Sequence, residues 1–114
     1  MIDWDKFNEY LQGYDNALIL EIIDMFINDY PEKITTLQKT IDAKDFPGLD
    51  IIAHTIKANC ATFGATESAE LALKLELMGK NHADEDMKGV FAQFITSLEK
   101  LILELKEYRE SHSS

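Results

Sequence analysis

Apolar positions recur every three or four residues along nearly the whole chain, with polar residues filling the intervals. That period marks amphipathic helices, since a half-buried strand would alternate every second residue. The pattern predicts a short helix from Trp4 to Leu11, stopped at Gly13. A second opens after Asp15, a good N-cap, and carries Leu18, Ile19, Ile22, Ile23 and Phe26 inward. Pro31 fits the first turn of a third, with Ile34, Leu37 and Ile41 on one face. Pro47 does the same for a fourth, which runs to Phe63 and closes at Gly64. Thr66 is placed to cap a fifth that buries Leu71, Leu75 and Met78. Lys80 to Asp86 reads as a polar loop. The longest helix follows it, with Met87, Phe91, Phe94, Leu98, Leu101, Leu105 and Tyr108 spaced by threes and fours. Residues 111–114 are expected to fray.

Short connections between long helices favour an all-α fold, an antiparallel four-helix bundle with one or two short additional helices. Few glycines and prolines interrupt the pattern, and a chain of 114 residues supports one core, so residues 1–110 are expected to form a single domain.

Charge narrows the partner class. Asp and Glu number 21 against 11 Lys and Arg, a formal net charge of −10. Nucleic acid and anionic membranes both call for basic patches, so neither is expected as a partner, and another protein is. No apolar run approaches the roughly 18 residues that span a bilayer, and the first residues lack a signal-peptide pattern. A cytoplasmic setting is the resulting expectation. Cys60 has no cysteine to pair with, and its helix phase points it inward as a small core residue.

The chemistry concentrates in residues 53–65. An advance of about 100° per residue gathers Leu49, Ile52, Ile56, Cys60 and Phe63 on the inward side. His54 falls on the opposite side, with Asp50, Lys57, Ala58 and Ala61 around it. Ala53, Ala58 and Ala61 are expected to leave the ground beside the imidazole smooth. A neutral imidazole offers a free ring nitrogen near physiological pH and can attack a phosphoryl donor in line when nothing bulky covers it. Lys57, one turn along, can set an ammonium against the phosphoryl oxygens. Asp50, one turn back, could orient the ring but would also repel a phosphoryl group.

The run His54-Thr55-Ile56-Lys57, followed by Gly64-Ala65, resembles the histidine-containing phosphotransfer (HPt) domain. Its pattern is His-x-Leu/Ile-Lys-Gly, then small residues, then Leu/Phe-Gly. Tyr30-Pro31-Glu32, Ala69-Glu70-Leu71-Ala72 and Leu75-Glu76 extend the likeness from about Phe26 to Lys80. Ala61-Thr62-Phe63-Gly64 is similar to the phosphorylated domain of chemotaxis kinases. The resemblance implies that His54 is phosphorylated, Lys57 stabilises the phosphate, and the helix face with Asp50, Ala58 and Ala61 docks the partner. It also implies a phosphorelay intermediate with no ATP site and no cofactor of its own, and a monomer is expected because the inward stripes account for nearly all the large apolar residues. Its partners would be a response-regulator receiver domain, which brings a divalent metal ion, and a hybrid sensor kinase. Ala58 stands where the pattern has glycine, adding one methyl group beside the histidine. The alternative is a helical adaptor that binds a receiver or kinase domain without transfer.

Other features read more plainly. His82 beside Asp84, Glu85 and Asp86 invites a metal, but one imidazole in an acidic loop seldom makes a specific site. His112 lies in the expected tail. No Gly-rich phosphate loop or Ser/His/Asp arrangement is present.

Overall fold

The computed structural model describes residues 1–113, and five α-helices account for most of them. They are α1 (Trp4–Leu11), α2 (Asn16–Asp42), α3 (Phe46–Thr62), α4 (Thr66–Asn81) and α5 (Met87–His112). No strand occurs among the described residues. The four long helices reverse direction through short connections and form an elongated bundle of 46 × 23 × 20 Å, with α1 laid across one end.

The helix starts follow side-chain chemistry. Asp3 accepts hydrogen bonds from the amides of Asp5 and Lys6, Asp15 from Leu18, and Asp45 from Gly48 just after Pro47. Each satisfies donors that the first turn leaves free, and each sets a carboxylate at the positive end of the helix dipole. Ile23, Leu37, Leu49, Cys60, Leu75, Phe94 and Leu105 fill the centre of the core, all nearly or completely buried.

Several sequence expectations are corrected. Pro31 does not open a helix: α2 runs through it as one 27-residue element. Interior proline costs about 3 kcal/mol, but Ile23, Phe26, Tyr30, Ile34, Leu37 and Ile41 form one unbroken buried or half-buried stripe across it, and Pro31 itself faces solvent. Burying residues of that size contributes about 1.5–3 kcal/mol each, enough to carry the helix past the break. Leu18 is exposed, with Ile23 taking the innermost place. Thr66 is the first residue of α4 rather than its cap. The cap position falls on Ala65, buried in the tight α3–α4 reversal where a polar side chain would lack water.

The polar loop is shorter than expected, because α4 extends to Asn81. His82 then takes a left-handed conformation (φ 52°) and stacks on Phe46 at 4.8 Å, while Lys44 pairs with Asp84 at 3.0 Å. The C-terminal residues through His112 do not fray. Tyr108 packs against Trp4 and Phe7, His112 stacks on Tyr108, and the His112 carbonyl accepts a hydrogen bond from Asn16 Nδ2. Ser114 lies outside the described residues.

Candidate functional site

The centre of α3 is anchored on one side and open on the other. Leu49, Ala53, Ile56 and Cys60 are buried, whereas the His54 side chain is 64% exposed. Burial pushes the Cys60 thiol up to about 12, which leaves it inert as a nucleophile. Ala53 belongs to this buried side and not to the surface around His54, because α4 covers it. Ala58 is exposed and Ala61 half-buried on the histidine side, as is the apolar Ile51, 70% exposed.

The approach of α4 makes the site. Small residues line the seam: Ala53 on α3, with Ala72 and Gly79 on α4. A Cβ at Gly79 would stand 2.8 Å from the Asp50 amide nitrogen and 2.9 Å from the Phe46 carbonyl oxygen, so only glycine allows this contact. One turn before Gly79, the close approach buries Glu76 directly beneath His54.

Glu76 connects the charged groups. Its side chain is 6% exposed, and Oε2 lies 3.2 Å from His54 Nδ1. Lys57 Nζ lies 2.8 Å from Oε1, a close ion pair. The Lys57 ammonium foremost, and the His54 ring after it, hold the Glu76 carboxyl below the usual glutamate range despite the opposing effect of burial. Glu76 is therefore ionised at neutral pH, and a carboxylate at Nδ1 favours the tautomer that carries its proton there. The other ring nitrogen, Nε2, keeps its lone pair and has no protein hydrogen bond among the described residues.

Asp50 occupies a different place. It contacts Lys80, at 3.2 Å from Oδ1, and the carboxylate at the ring is Glu76. Sequence reasoning singled out neither Glu76 nor Lys80 as a site residue. The available signal was phase: Glu76 sits four residues after Ala72 and three before Gly79, so it shares the inward stripe of α4, where an acid needs a partner. Two shallow grooves flank the exposed strip of α3. One, of about 280 Å³, runs toward α1 and α4 past Tyr10, Ala58, Ala61 and Leu73. The other, of about 220 Å³, lies against α2 between Met25, Phe26, Asn59 and Thr62. Among the described residues, no group of three or more His, Cys, Asp or Glu side chains could hold a metal ion. None of their helices is long and apolar enough to cross a membrane.

The chain is 22% identical over 109 residues to a protein of Dictyostelium discoideum named phosphorelay intermediate protein rdeA. The alignment covers 96% of this chain but 42% of that protein, so the chain spans less than half of its relative's length. No solved structure gives a significant match. Residues 21–108, which contain His54, Lys57, Glu76 and the helices that carry them, match the family model of the Hpt domain, and the chain belongs to that family.

Proposed function

We propose that this protein is a phosphorelay intermediate that carries a phosphoryl group on Nε2 of His54 and exchanges it with the aspartate of a receiver domain. The observation that carries the reading is the pairing of a solvent-facing imidazole with a buried carboxylate at its inner nitrogen. Glu76 holds the proton on Nδ1, so Nε2 attacks phosphorus as the acyl phosphate P–O bond breaks. The bonding pair leaves with the partner's aspartate, and Glu76 offsets the positive charge that develops on the ring. Transfer in the other direction retraces the same path.

Lys57 stands beside Glu76 and needs only a side-chain rotation to offer its ammonium to the phosphoryl oxygens. The receiver supplies the aspartate and a divalent metal ion, and alignment of donor and acceptor supplies most of the remaining rate. Docking covers the strip of Ile51, His54, Ala58 and Ala61, together with the adjoining groove. A hybrid sensor kinase is the proposed source of phosphate, and the chain acts as a monomer. The adaptor alternative leaves the His54–Glu76 contact without a purpose, since binding alone needs no oriented imidazole.

The test is transfer from a panel of phosphorylated receiver domains. The expected label is acid-labile, alkali-stable and confined to His54, and His54→Gln abolishes it while stability changes by no more than about 0.5 kcal/mol. Labelling of the Gln variant, or failure of the native chain with every receiver, would leave the adaptor reading in its place.

A further inference from the structure

Asp50 lies one helical turn before His54, and its side chain is 29% exposed. An uncompensated carboxylate there would oppose an arriving phosphoryl group, which carries close to two negative charges. Asp50 is compensated. Lys80 Nζ stands 3.2 Å from Oδ1 and 3.3 Å from Oδ2, and 3.9 Å from Glu76 Oε2. The backbone builds this placement, because Gly79, the residue before Lys80, brings the end of α4 against the Asp50 amide. Lys80 also lies in the last turn of α4, where the helix dipole favours a cation.

We propose that Lys80 is a positioning residue of the phosphoryl site, cancelling the charge of Asp50 and sharing that of Glu76 so that His54 can take up a dianionic group. The charged side chains joined to His54 through ion contacts are Asp50 and Lys57 from α3 and Glu76 and Lys80 from α4. Together they sum to zero, and without Lys80 they leave one negative charge in excess. For a dianion about 8 Å away in a water-like dielectric, that excess disfavours the phosphorylated state about fivefold. Sequence alone gives Lys80 no such role, since 30 residues separate it from Asp50.

This inference rests on the phosphocarrier reading, so the experiment separates the two. Phosphoramidate labels an exposed histidine without any docking. Its P–N bond breaks as the Nε2–P bond forms, and ammonia leaves with the bonding pair while Nδ1 keeps its proton. The full chain, Lys80→Ala, Lys80→Arg and Lys80→Ala/Asp50→Asn are labelled at low salt and at 1 M salt, and melting temperature is recorded for each.

Lys80→Ala is expected to label more slowly at low salt, by up to about fivefold where the transition state feels the full dianion. Lys80→Arg should keep most of the native rate, and adding Asp50→Asn should restore it. At 1 M salt, where the Debye length is about 3 Å, the deficit should largely vanish. A native labelling rate in Lys80→Ala overturns the assignment. So does a deficit that Asp50→Asn fails to repair, or one that persists in 1 M salt while tracking the melting temperature. If these labelling differences appear but no phosphorylated receiver ever transfers to the chain, the phosphocarrier reading fails and the assignment of Lys80 stands.

Discussion

Replacing Glu76 with alanine removes the carboxylate that touches the His54 ring, and its effects divide between ring and bundle. A hydrogen bond to a charged group contributes about 1.5–3 kcal/mol when both partners are shielded from water. Glu76 is shielded, at 6% exposure, but His54 is 64% exposed and water competes for its Nδ1–H. That competition reduces the orienting energy to about 1 kcal/mol, or roughly fivefold in the population of rings with Nε2 free. Glu76→Ala should therefore slow single-turnover transfer about fivefold to tenfold, the upper figure including the lost support for a positively charged ring. Glu76→Gln retains an acceptor for Nδ1–H and should fall between. The bundle should lose about 1–2 kcal/mol, because Lys57 and Lys80 can turn toward solvent and no charge is stranded in the core. Nitrogen-15 spectra of the imidazole report the tautomer directly, and transfer from a phosphorylated receiver reports the rate. Native rate together with an unchanged tautomer in Glu76→Ala would refute the orienting role.

Four further outcomes are expected. Lys57→Ala should shorten the lifetime of phospho-His54 and slow transfer without abolishing it; an unchanged lifetime reduces Lys57 to a partner of Glu76. Ala61→Trp should fill the groove beside α1 and α4 and block transfer from a receiver while phosphoramidate labelling persists, and normal transfer would place docking elsewhere. Gly64→Ala should destabilise by about 2 kcal/mol or more in urea denaturation, since φ is +68° and the new Cβ would meet the Asp3 carbonyl oxygen at 2.5 Å. Because the native Glu76 carboxyl is held below its ordinary value of 4.5, its contribution to stability is present above that pH and lost as pH falls toward the native value. Glu76→Gln should accordingly flatten the acid limb of the stability profile, which stability measurements over that range will check.

Local rules reached the all-α class and most helix ends because those depend on caps and period. Asp15 caps α2, Pro47 opens α3, and Gly64 takes the left-handed turn after it, each from side-chain or backbone chemistry within a few residues. Pro31 misled for the opposite reason. Its local cost is outweighed by a stripe that packs against other helices, and only the unbroken phase from Phe26 to Ile41 signals this. The site divides in the same way. His54 and Lys57 share one helix, so their proximity follows from spacing alone. The contact of Glu76 with His54 spans 22 residues and requires α4 to pack on α3 at a separation set by Gly79. Ala53 was misplaced because a helical wheel shows which side faces away from the core but not how far a neighbouring helix wraps around it.

That close packing also bears on how the proposed carrier would both accept and release a phosphoryl group. In the resting protein the two lysines near His54 are already engaged, Lys57 by Glu76 and Lys80 by Asp50 and Glu76. Under the proposed function, a phosphoryl group on Nε2 would compete with these carboxylates for each ammonium. The gain on phosphorylation is then the difference between two ion contacts rather than the whole of one. Free lysines at the same places would hold the phosphoryl group more tightly and slow its departure, whereas carboxylates without lysines would repel it. Paired charges would keep the two states close in free energy, so that small differences supplied by a docked partner could set the direction of transfer. For this reason variants that remove both charges of a pair should disturb transfer less than variants that remove one, and the Lys80→Ala/Asp50→Asn chain provides that comparison.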